Sequence, residues 1–229
     1  MADWSKLSID ISSLIHGELS VLDYIRVGAV CKQWNFACKL KYHCPTKKPQ
    51  SPWLVLPDEC DTTTIKFFSI LEKKTYKIPC PEPMIHRRAY IGSGHGWLVT
   101  VNDTCSMHLL NPLTGAQIPL PPITILSFIE AIQSSHAHSS IKFIMGQQVV
   151  SSFESLHHFF FHKAILSSTP DADGDFTIMM ICNVRCQLAF APARDKAWTS
   201  VSTHYGDADV MYHNAKFCMI NYDGIIKIR

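Results

Sequence analysis

Residues 7–37, LSIDISSLIHGELSVLDYIRVGAVCKQWNFA, decide how the rest of this chain is read. Ile11, Leu14, Ile15 and Leu19 fall at i, i+3, i+4 and i+8, one apolar stripe on a helix. Gly17 sits inside that helix and weakens it by about 1 kcal/mol relative to Ala. Ser20 opens a second helix. Ser20-Val21-Leu22-Asp23 has the S-x-x-D form of a capping box, in which the hydroxyl accepts from the backbone while the acid reaches back. Val27, Val30, Cys31 and Trp34 repeat the spacing at i, i+3, i+4 and i+7, with Gly28 as the joint between two short helices. Short helices confined to about forty residues bury too little to stand alone. Such a module has to borrow stability from a partner or from the domain that follows.

The order and spacing of these residues (Leu7, the acid Asp10, the first helix, Leu22-Asp23, then Val30-Cys31-x-x-Trp34) resemble an F-box, the helical module that plugs a protein into a cullin-based ubiquitin ligase. The resemblance implies that Leu7, Ser8, Ile11, Ile15, Leu19, Val30 and Trp34 dock a Skp-type adaptor or hold the helices that do. Leu14 and Cys31 are expected to pack internally. The chain departs from the family at one place: Leu7-Ser8 stands where Leu-Pro is usual. Losing that proline costs about 0.4–1 kcal/mol of pre-organisation. With the lost apolar contact, docking should weaken by roughly an order of magnitude without being abolished, since 1.4 kcal/mol is about tenfold in affinity. Read without the family, the same helices are a small cap on a larger domain.

The chain of 229 residues is 47% hydrophobic and only 17% charged, a globular composition with room for one large or two small domains. A net charge of +2 gives no electrostatic case for nucleic acid. No apolar run is long enough to span a membrane, and Asp3 and Lys6 interrupt any signal-peptide pattern. Nine scattered cysteines with no C-x-x-C pair read as reduced thiols, so a cytoplasmic or nuclear location is expected.

Pro45, Pro49 and Pro52, with Lys47-Lys48 between them, mark a linker over 45–52, separating a helical domain at 1–44 from a strand-rich domain at 53–229. In the latter, Phe67-Phe68-Ser69-Ile70 with Tyr76-Lys77-Ile78-Pro79, Leu109-Leu110 with Ala116-Gln117-Ile118, and Leu188–Ala191 with Ala197-Trp198-Thr199 each read as strand, turn, strand. Ile78 and Ile118 are 40 residues apart, and Ile118 and Trp198 are 80 apart, a propeller-like period. The intervening copy is expected near 151–161. A last hairpin at 215–226 is off the period. Ile91-Gly92-Ser93-Gly94-His95-Gly96-Trp97-Leu98, Leu109-Leu110-Asn111-Pro112-Leu113-Thr114-Gly115 and Tyr212-His213-Asn214-Ala215-Lys216-Phe217 are similar to a family of plant F-box/kelch-like proteins with a C-terminal β-propeller-like domain of unknown function. Members are generally longer, so the chain is expected to carry a truncated ring. The fold expected is multidomain, α plus all-β: a three-helix F-box, then an incomplete β-propeller of antiparallel sheets.

What this implies is a non-enzymatic substrate receptor that joins a Skp-type adaptor, and through it a cullin, to a target protein, with no cofactor. The alternatives are a propeller interaction protein with a degenerate F-box, a non-functional fragment, or a metal-dependent activity at His136, His138, His157, His158 and His162. Cys182-x-x-x-Cys186 could join such a metal site, since both would lie on one strand face, though core packing explains them more simply. Gly92-x-Gly94-x-Gly96 lacks the third glycine position of a dinucleotide loop and reads as turn and close strand packing. Asp171-Ala172-Asp173-Gly174-Asp175 has its glycine at the fourth position of a calcium loop instead of the sixth and reads as a turn.

Overall fold

The computed structural model describes residues 4–39, 51–56, 63–80, 88–102, 105–123, 130–132, 142–145, 148–150, 160–170, 175–182, 186–201 and 206–228. They form two compact units, Met1–Leu56 with Phe67–Tyr76, and Pro57–Lys66 with Lys77–Arg229.

A single 3-10 turn, Trp4–Lys6, precedes helices α1 (Ile9–Glu18), α2 (Val21–Gly28) and α3 (Lys32–Lys39). Each start is dictated locally. Ser8 is the N-cap of α1, its hydroxyl 3.5 Å from the Ile11 N–H. Ser20 caps α2: its Oγ accepts from the Asp23 N–H at 3.2 Å and donates to the Asp23 carboxylate at 2.9 Å. Gly28 ends α2, and the Asn35 side-chain amide donates to the carbonyl of Gly28 at 2.8 Å. The predicted second stripe is therefore divided across the joint, with Val30 in the turn and Trp34 on α3.

The remaining elements are strands. β1 (Trp53–Leu56), β2 (Thr64–Ser69) and β3 (Lys74–Pro79) form a sheet in sequence order. β4 (Ala89–Gly94), β5 (Trp97–Val101), β6 (Met107–Leu110) and β7 (Gln117–Leu120) form an antiparallel meander. β8 (Glu130–Ile132), β9 (Lys142–Met145) and β10 (Gln148–Val150) form a third sheet. β11 (Phe161–Leu166), β12 (Thr177–Cys182), β13 (Gln187–Pro192) and β14 (Thr199–Val201) form a second four-stranded meander. β15 (Asp207–His213), β16 (Lys216–Asn221) and β17 (Ile226–Ile228) close the order. Successive antiparallel meanders of this kind are propeller blades. The predicted hairpins are β2–β3, β6–β7, β13–β14 and β16–β17. Strands β8–β10 went unpredicted, and the copy expected near 151–161 falls mostly outside the described residues.

The two four-stranded meanders join through their first strands, β4 and β11, which pair in parallel with Gly92 opposite Ala164. A Cβ on Gly92 would lie 2.0 Å from the Ala164 carbonyl oxygen, so this approach needs glycine, as the strand-packing reading of the G-x-G-x-G run expected. Gly96 serves the other predicted purpose: His95 and Gly96, at φ +53° and +79°, make the two-residue turn between β4 and β5. One core gathers Ile91, Val99, Val101, Met107, Leu109, Phe160, Ile178 and Met180. A second gathers Met179, Ile181, Leu188, Val210, Phe217 and Met219. Strand β12 feeds both, which is why it reads as an unbroken apolar run instead of alternating.

Candidate docking surface on the helical module

Helix α1 is built with its apolar side outward. Ser12, Ser13 and His16 are its buried residues, while Ile11 and Leu14 are 50% and 64% exposed and Ile15 is 38% exposed. Small inward side chains let α1 lie close to α3, where Ala37 is buried. His16 is the hub of this interior. Its ring meets Tyr24 and Trp34 edge-on at 5.8 and 6.0 Å between centroids, and its Nδ1 is 3.6 Å from Cys38 Sγ. Burial holds the His16 imidazole below its ordinary pKa and pushes the Cys38 thiol up, so both are neutral at pH 7. The Tyr24 hydroxyl donates to the Cys38 carbonyl, tying α2 to α3.

The residues singled out from sequence fall into two groups. Ser8, Ile11, Ile15 and Val30 are exposed, Val30 by 67%. Leu7, Leu19 and Trp34 are half-buried. The Trp34 indole N–H donates to the Trp4 carbonyl at 3.0 Å, and Gln33 Nε2 donates to the Leu7 carbonyl at 2.6 Å, so the N-terminal turn is fastened to α3. Leu14, expected to pack internally, instead faces outward with Ile11 and Ile15. The inward positions went to the serines. Cys31 is half-buried. Sequence reasoning missed Trp4, Ile25 and Phe36, all exposed apolar residues of the same module. Ile25 and Phe36 fall off the stripe's period, and Trp4 stands in the 3-10 turn ahead of α1, outside the helix the periodicity described.

Ser8 has a role that its comparison with proline did not reveal. As N-cap it offers a hydroxyl to the first turn of α1, and its φ of −60° already suits a pyrrolidine ring. Proline there would exchange a capping contact for pre-organisation.

His136, His138, His157, His158 and residues 171–174 lie outside the described residues, His162 is exposed, and no group of ligating side chains with metal-site geometry occurs among the described residues. Cys182 and Cys186 do not share a strand face. Cys182 ends β12, buried, with its thiol pushed up to about 12, while Cys186 occupies a turn at φ +50°. No helix among the described residues is long and apolar enough to cross a membrane.

Three short helices with an exposed apolar stripe, followed by successive β-meanders, define a helical module ahead of a partial β-propeller. The KIB1-4 beta-propeller family model matches residues 67–229, and the chain belongs to that family. It is 29% identical to F-box only protein 7 of Arabidopsis thaliana over 99% of its own length and 57% of that protein. It is 30% identical to the F-box/kelch-repeat protein KIB1 of the same plant over 52% of its length and 32% of that protein. The resemblance to plant F-box proteins with a propeller domain is thus borne out, and the chain spans about half the length of F-box only protein 7. Among solved structures, the designed protein Ika4 aligns at 10% identity with a TM-score of 0.25.

Proposed function

We propose that this chain is a substrate receptor of a Skp–cullin–F-box ubiquitin ligase. The observation that carries the reading is the outward apolar face of α1, together with relatives named as F-box proteins. Ile11, Leu14, Ile15 and Val30 cover the adaptor, and Leu7, Leu19 and Trp34 hold the turn and helices that present them. Fully burying an exposed aliphatic side chain is worth about 1.5–3 kcal/mol, so a few partly exposed ones supply a working affinity. The propeller blades hold the target, and the chain does no chemistry itself. It acts by proximity, bringing a bound protein within reach of a conjugating enzyme. Co-purification with a Skp-type adaptor tests this: wild type should retain it, Ile11→Asp and Val30→Asp should lose it, and equal recovery of all three would refute the reading.

Ser8 favours a second reading, an interaction protein whose F-box no longer docks. Ser8→Pro separates the two. Docking by wild type supports the receptor, whereas docking only with the proline in place supports the degenerate module.

A further inference from the structure

The β4–β7 meander has one apolar face and one mixed face. Ile91, Val99, Val101, Met107 and Leu109 line the core side. On the other side the register places Tyr90 opposite Thr100, Thr100 opposite His108, and His108 opposite Pro119, with Gln117 opposite Leu110 one step along. Cross-strand partners share a face, so Tyr90, Thr100, His108 and Gln117 lie together as a polar cluster on a face that also carries the buried Leu98 and Leu110. Arg88, just ahead of β4, reaches over it and donates from Nη2 to Gln117 Oε1 at 2.6 Å.

This guanidinium is incompletely matched. Arg88 is half-buried, yet its Nη1 is buried without a hydrogen-bond partner, and so is His108 Nδ1. The ionisable groups acting on Arg88 are Tyr90 and Cys80, a phenol and a thiol. No carboxylate pairs with it among the described residues. A guanidinium does not shed its proton, so half-burying it beside neutral groups leaves a charge without its counter-charge. The neighbours favour the neutral state as well. Desolvation lifts the Tyr90 hydroxyl to about 12, keeping it a donor, and desolvation followed by the charge of Arg88 holds His108 below its usual pKa.

We propose that this polar cluster is a binding site for an oxyanion, a carboxylate or phosphate group, with Arg88 as its charge partner and His108 and Tyr90 as flanking hydrogen-bond donors. A bidentate guanidinium contact is the usual mode for both anions. Arg88, Tyr90 and His108 are half-buried as residues, but Arg88 Nη1 and His108 Nδ1 are themselves covered, so an anion reaches those two atoms by displacing what lies over them. Bound anion cancels the repulsion that Arg88 exerts on His108. Binding therefore draws a proton onto His108, and affinity rises as pH falls. Loss of adaptor docking would leave this site untouched, because it uses none of the helical residues.

Titration of the His108 ring by NMR tests the site on the full chain, with sodium acetate and sodium phosphate as probes against sodium chloride at equal ionic strength. Wild type should show a saturable response and an upward shift of the His108 titration. Response to acetate identifies a carboxylate site, and response to phosphate alone a phosphate site. Arg88→Met should abolish the response while leaving the melting temperature equal or higher, since it removes an uncompensated charge. His108 indifferent to both anions, an equal response in Arg88→Met, or a lowered melting temperature in that variant with no anion effect would each overturn the proposal.

Discussion

Helix α1 and strand β12 are both written in apolar residues and use them in opposite ways. In β12, Ile178 and Met180 point to one core and Met179 and Ile181 to the other, so the strand is covered on both faces by its own chain. In α1 the aliphatic residues face out and two serines and a histidine face in. Buried apolar surface within one chain supports the fold, while apolar surface held outward supports association. The same residue types therefore carry different information, and burial is what separates them.

The largest expected effect breaks the β side of this contrast. Met180→Ala should cost about 2–5 kcal/mol, read as a lowered denaturation midpoint with unchanged slope. Ile11→Asp, an equally severe change in chemistry, should leave the midpoint of the free chain within about 0.5 kcal/mol and instead reduce adaptor recovery at least about tenfold. If both variants lose stability alike, α1 is ordinary core. Gly92→Val should cost about 1–3 kcal/mol by overpacking against the Ala164 carbonyl, and hydrogen exchange should quicken in β4 and β11 before it does in β16. On the helical side, the contrast sharpens with pH. His16 is held below its ordinary pKa when folded, so the unfolded chain binds the proton more readily. The contribution of neutral His16 is complete above about pH 6.5. It falls as pH drops through that value toward the folded pKa. Exchange protection in α1 and α3 should fade over this window, and His16→Gln should flatten the dependence. The smallest effect is a gain. Asn214 and Ala215 make the turn between β15 and β16 at φ +48° and +60°, a region costly for alanine. Ala215→Gly should raise stability by about 0.5–1 kcal/mol, measured by thermal unfolding.

What was legible in the sequence was what is local. The caps at Ser20-Asp23, the joint at Gly28 and the hairpins around Asn111–Gly115 and Tyr222–Gly224 depend on neighbours within four residues, and each lies where its residues required. The Asn111 side chain accepts from the backbone N–H groups of Leu113 and Thr114, the local bond that makes such a turn readable. The direction of α1 was not legible, because a helical period states that one side is apolar and leaves open which side meets the neighbouring helix. Ser12 and Ser13 hold the answer only once α3 is in place. The parallel junction of β4 and β11 joins residues 72 positions apart, Gly92 and Ala164, and a glycine was its sole trace in the sequence. The polar cluster around Arg88 and His108 follows alternation along several strands at once, a pattern spread too thinly for any motif to record.

The outward face of α1 also bears on how much of this protein a cell can keep. On the receptor reading proposed above, the chain is soluble in proportion to the adaptor's supply, since binding stabilises the folded form by about 2.7 kcal/mol when the partner exceeds its dissociation constant a hundredfold. Made in excess, the surplus carries an open apolar patch and is left to self-association or degradation. On that reading, stoichiometry with the adaptor is set by one helix turned inside out.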